Sequence, residues 1–143
     1  MRNRINRLPD AIRLHAIWDF QHYRQMKKEI EDYKRELMPS STAKIQGASA
    51  GHSGESRPTE ALGIRLATDQ YILQRERAVN IITTLLNELT EEDKKLIDMV
   101  YLSKRFTVEG AGMQLNMSRR TAYDHINKIL QVYAHEQGWK NLT

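Results

Sequence analysis

Five of the ten proline and glycine residues in this 143-residue chain fall between Pro39 and Pro58, where Gly47, Gly51 and Gly54 alternate with Ser40, Ser41, Ser49, Ser53 and Ser56. No proline follows Pro58. A Ser/Gly-rich stretch without apolar periodicity has little to bury, so residues 39–58 read as a flexible linker. The one other proline, Pro9, suits a first helical turn, because its missing N–H would find no partner there. Asp10 beside it suits the positive end of the helix dipole.

On both sides of the linker the apolar spacing is helical. Tyr23, Met26, Ile30, Tyr33 and Leu37 recur at steps of 3, 4, 3 and 4, which is one stripe of a helix predicted from about Pro9 to Leu37. Thr59 and Glu60 open a second helix with a seam of Ile72, Val79, Ile82, Leu86 and Leu89, at steps that fit a heptad. Helices with such narrow stripes draw most of their stability from burying them. The expectation is a long helical hairpin, a coiled-coil part whose leftover stripe makes a homodimer or higher homo-oligomer. A monomeric antiparallel pair is the alternative. The chain thus divides into residues 1–38, a long basic helix for oligomerisation; 39–58, the linker; 59–89, a second long helix; and 90–143, a third part with its own organisation.

Composition removes several classes of function. With no cysteine there is neither a disulfide framework nor a thiolate metal site. No run approaches the ~20 apolar residues of a membrane span, and the N-terminus lacks the apolar core of a signal peptide, so a cytoplasmic location is expected. The net charge of +4 is modest and uneven: residues 1–38 hold 9 basic and 6 acidic groups, residues 90–143 hold 8 and 7. A nucleic-acid partner would be held by a few placed cations, doubled by oligomerisation.

The last third carries the most informative pattern. Thr90-Glu91-Glu92-Asp93 resembles a capping box, and Leu96, Ile97, Val100, Tyr101 and Leu102 point inward from the helix that follows, which stops near Ser103. Thr107 caps a helix of about two turns ending at Leu115. Asn116 tolerates a left-handed backbone at the turn, and Ser118 caps a longer helix with Ala122, Ile126, Ile129, Leu130 and Tyr133 inward. This is the layout of a helix-turn-helix, whose second helix enters a major groove. Ala111, Gly112 and Ala122 are small enough for a close crossing, while Leu115 and Met117 flank the turn. Gly110 and Gly112 depart from the pattern by lowering helix propensity, and Ala122 by its size. Gly138 ends the long helix, and Trp139 is expected to fold back on Tyr133 and Ala134.

Arg119 and Arg120 stand in the first turn of that helix, where the macrodipole disfavours cations. Contact with phosphate and guanine edges gives them a reason, because the guanidinium fork matches both; exposed helix formers beneath a serine cap are the plainer reading. Tyr123, Asp124, Asn127 and Lys128 share the outward face, with His125 expected at the surface. Thr121 and Tyr123 offer hydroxyls to phosphates, and Lys128 a backbone contact. Asp124 either accepts from a cytosine amine, orients an arginine, or pairs with Lys128. Double-stranded DNA is the expected partner, with Ser118, Arg119, Arg120, Thr121, Tyr123, Asp124, Asn127 and Lys128 as its contacts.

From Leu89 to Leu130 the chain resembles region 4 of sigma factors, in which a capped helix also leads into a helix-turn-helix. Most of its length resembles the RinA/ArpU-type transcriptional regulators of phages and prophages in Gram-positive bacteria. The resemblance rests on HYRQMKKEIEDYKREL (His22 to Leu37), the Pro58-Thr59-Glu60 helix start after a Ser/Gly-rich break, and the Ser118 to Thr121 turn. It implies an all-α protein with a sigma factor region 4-like C-terminus, which binds a promoter and activates late phage genes for packaging and structural proteins.

Three other readings stand beside this one. His15, Asp19 and His22 share a helical face and could present metal ligands, but no further ligand or hydrolase signature accompanies them, so no enzyme, metal or cofactor is expected. The linker glycines lack the Gly-Lys-Ser/Thr ending of a phosphate loop. A small terminase subunit, which packages DNA as a ring, also pairs a helix-turn-helix with an oligomerising hairpin. The third reading has the module docking on RNA polymerase or another protein without reading bases. Lastly, Arg2, Arg4 and Arg7 precede the first helix without an acid, as an arm for a minor groove or a frayed tail.

Overall fold

A computed structural model of the chain describes residues 8–37 and 58–139. The arginine arm and residues 39–57 of the Ser/Gly stretch lie outside the described residues. Among the described residues the fold is all-α, with no strand. The helices are α1 (Asp10–Gln21), α2 (Tyr23–Leu37), α3 (Pro58–Glu88), α4 (Glu91–Ile97), α5 (Val108–Gln114) and α6 (Arg119–Glu136). A π-helical turn, Asp98–Leu102, continues α4. No helix among them is long and apolar enough to cross a membrane.

The single helix expected from Pro9 to Leu37 is two helices. His22 leaves helical geometry at φ −105° and ψ 12°. Its ring stacks on the Trp18 indole at 3.9 Å, and the Trp18 carbonyl accepts from both the His22 backbone N–H (3.0 Å) and its Nδ1 (2.8 Å). The side-chain bond and the ring contact accompany the break.

The chain forms two compact units that do not follow the expected division at residues 38 and 89. One comprises Met26–Arg77, the other Met1–Gln25 with Ala78–Thr143. Within Met26–Arg77, side-chain contacts join α2 and α3. The Tyr71 hydroxyl donates to Glu29 Oε2 at 3.0 Å, and one α2 turn on Tyr33 donates to Asp69 Oδ1. Lys34 pairs with Glu76 at 2.7 Å, and Met26, Ile30 and Ile72 are buried.

In the other unit, α1 packs against α6 and the π turn. Its core holds Ala16 and Phe20 of α1, Ile82 of α3, Leu96 and Ile97 of α4, and Ile126, Leu130 and Tyr133 of α6, all essentially without solvent contact. The Phe20 ring meets Tyr133 edge-on at 5.2 Å. Each such large apolar side chain contributes roughly 1.5–3 kcal/mol on burial. Val100, Tyr101 and Ala122 are buried as their spacing required, whereas Leu86, Leu89 and Leu102 are half-exposed at the edges of their stripes.

Candidate nucleic-acid interface

Three side-chain caps set the local geometry. Thr90 Oγ1 accepts from the Asp93 amide (3.2 Å), Thr107 Oγ1 from the Gly110 amide (3.0 Å), and Ser118 Oγ from the Thr121 amide (3.1 Å). Each satisfies an N–H that the start of a helix leaves without a partner. Between α5 and α6, Asn116 adopts φ +58°, and the Met117 amide reaches back to the Gly112 carbonyl at 2.8 Å. A Cβ added at Gly112 would lie 3.1 Å from the Ala122 Cβ and 3.3 Å from the Met117 carbonyl oxygen. The low helix propensity of Gly112 is therefore the cost of the close approach between α5 and α6.

At the far end of α6, Gly138 turns at φ +80° and the Trp139 amide bonds to the Ala134 carbonyl at 2.9 Å, the six-to-one bond of a Schellman ending. The Trp139 ring meets Tyr133 edge-on at 5.6 Å, as expected, and also stacks on His15 at 4.4 Å.

The caps and the turn present the first three turns of α6. Ser118, Arg119, Arg120, Thr121, Asp124 and Lys128 are exposed, and Tyr123 and Asn127 are half-buried. Arg120, Asp124 and Lys128 follow at steps of four and so share one face. Asp124 and Lys128 form no ion pair among the described residues. Ser118 also donates to Thr121 Oγ1 at 2.9 Å, so the Thr121 hydroxyl keeps its own proton to donate elsewhere. Arg119 bonds through Nε to Glu109 Oε1 at 3.2 Å, and the Tyr123 hydroxyl donates to the same oxygen at 3.4 Å. Glu109 thus tethers two of the candidate contacts; an ion pair this exposed is worth at most about 1 kcal/mol and yields readily to a phosphate.

Two features of this surface were not apparent from local sequence. Arg13 of α1 donates through Nε to Asn127 Oδ1 at 3.3 Å, which adds a cation from a residue 114 positions away. The same guanidinium acts on Tyr101, whose phenol burial pushes above its ordinary value while Arg13 pulls it down. His125, expected merely at the surface, bonds through Nδ1 to Asp93 Oδ1 at 2.6 Å and ties α6 to the first turn of α4. No local spacing pattern marks either contact, since both are made between separate helices.

The three residues weighed as metal ligands are otherwise engaged. Asp19 is buried and its Oδ2 accepts from the Tyr133 hydroxyl at 2.6 Å; His15 Nε2 lies 3.7 Å from its Oδ1, and the His22 ring is held by Trp18. Among the described residues no cluster of three His, Cys, Asp or Glu side chains is placed to hold a metal ion.

A family model described as a protein of unknown function (DUF722) matches residues 15–135. No curated protein and no solved structure matches the chain.

Proposed function

We propose that this protein, which belongs to the DUF722 family, is a sequence-specific DNA-binding regulator of transcription that works as a homo-oligomer. In this reading α5, the turn at Asn116 and α6 are a helix-turn-helix, and α6 lies in the major groove. The observation that carries it is the exposed run Arg119, Arg120, Thr121, Asp124 and Lys128 on the first turns of a serine-capped helix, where two successive arginines oppose the helix dipole. Arg119, Arg120 and Lys128 contact phosphates and guanine edges, Thr121 and Tyr123 donate to phosphates, and Asn127 and Asp124 read bases. Arg13 extends the cationic surface from α1. The resemblance to RinA/ArpU-type regulators and to region 4 of sigma factors supports a promoter as the target and activation of late phage genes as the outcome.

The test is a salt titration of binding to duplex DNA, on a fragment found by footprinting the region that flanks the gene. Replacing both arginines (Arg119→Ala with Arg120→Ala) is expected to flatten the slope of log affinity against log salt by about 0.9 for each phosphate the variant no longer neutralises. An unchanged slope would sink the DNA-reading assignment and favour docking on another protein.

A further inference from the structure

The strap from Ser103 to Thr107, between the π turn and α5, carries two exposed cations, Lys104 and Arg105. Other cations of the same unit answer a carboxylate: Arg24 bonds to Asp98, Lys94 to Glu91 and Arg119 to Glu109. Among the described residues the Lys104 side chain forms no ion pair or hydrogen bond, and Arg105 bonds through Nε to the Ser103 hydroxyl at 3.3 Å and to no carboxylate.

The backbone beneath these two charges is held at both ends. The Arg105 and Phe106 amides bond to the Met99 carbonyl, at 3.0 and 3.1 Å, and the Ser103 hydroxyl to that of Asp98 at 2.9 Å. Lys104 sits at φ +56°, where glycine is the unstrained choice. At the other end Phe106 packs on the first turn of α5: a Cβ added at Gly110 would lie 3.5 Å from Phe106 Cδ1, and Thr107 caps the amide of the same glycine. The neighbouring Glu109 holds Arg119 and Tyr123 of α6. The strap is thus fastened to the turn of α5 that bonds to the DNA-reading face of the proposed function.

We propose that Lys104 and Arg105 grip the phosphate backbone beside the major groove that α6 enters, as contacts independent of base sequence. Where the second helix of a helix-turn-helix lies in the groove, the first crosses the backbone, so the strap leading into α5 meets phosphates and not base edges. Charge points to the same partner. Residues 103–128 hold Lys104, Arg105, Arg119, Arg120 and Lys128 against Glu109 and Asp124, a net of +3 in 26 residues of a chain whose total is +4. The inference rests on the DNA-reading assignment and adds to it a clamp outside the helix-turn-helix.

The test is a salt titration of the full chain on two duplexes of equal length, the footprinted fragment and an unrelated sequence. Lys104→Gly removes the charge while relaxing the left-handed backbone, so its urea midpoint is expected to stay the same or rise. Its affinity is expected to fall several-fold, and its slope of log affinity against log salt to flatten by about 0.9. Arg105→Gln is expected to flatten the slope by a similar amount. Both losses should be equal on the two duplexes, as phosphate contacts require.

An unchanged slope for either variant overturns the assignment of that residue, and a loss confined to the footprinted fragment overturns phosphate contact in favour of base reading. Arg119→Ala with Arg120→Ala is titrated alongside. If it alone flattens the slope, the strap contact fails and DNA reading stands; if none of the three variants does, both fail together.

Discussion

Asp19 and Tyr133 are 114 residues apart in sequence and share a buried hydrogen bond of 2.6 Å, with Gln137 Nε2 donating in turn to the Tyr133 hydroxyl at 2.8 Å. Removing that hydroxyl takes a donor from a buried carboxyl, so Tyr133→Phe is expected to lower the unfolding free energy by about 1–3 kcal/mol in urea titrations. A change within experimental error would mean that the other contacts of Asp19 suffice. The same residue shows where single positions were and were not legible. Helical spacing correctly put His15, Asp19 and His22 on neighbouring turns, but periodicity says which residues share a face and not what covers it. Asp19 turned inward to a tyrosine of α6, and no local pattern could have paired them. Gly112 is the reverse case: its smallness, next to Ala111 and facing Ala122, was readable as a close crossing, and the structure supplies the distances.

At the scale of helices, beginnings were more legible than interruptions. Thr90, Thr107 and Ser118 each cap where the sequence placed a cap, because a hydroxyl just before a helical stripe satisfies local amides with no help from distant residues. Ser118→Ala is accordingly expected to cost about 1 kcal/mol of stability, read from the urea midpoint, with Thr107→Ala costing a similar amount. The break at His22 was not legible, since the apolar stripe runs on past it. The π turn Asp98–Leu102 was equally hidden. There the Ser103 amide and hydroxyl both bond to the Asp98 carbonyl, at 2.7 and 2.9 Å, and Lys104 is left at φ +56° in place of the glycine that such a backbone favours.

Across the molecule, each unit contains a tyrosine whose phenol titrates above its ordinary value. The hydrogen bond to Asp69 raises that of Tyr33, and burial raises that of Tyr101. A raised phenol keeps its proton in the folded chain after the unfolded chain has lost it. Its contribution is therefore complete below pH 10.0 and declines as pH rises through the folded value. Urea midpoints are expected to fall above that pH, and Tyr33→Phe should remove part of the fall; a flat profile would contradict both assignments. The division into units was itself illegible, because it joins α1 to helices more than fifty residues away. It also has an optical consequence. Both tryptophans, Trp18 and Trp139, belong to the unit that holds α6, and Met26–Arg77 has none. Indole emission therefore follows one unit alone while far-ultraviolet dichroism follows both, so melting of Met26–Arg77 on its own would appear as reduced helicity under unchanged fluorescence.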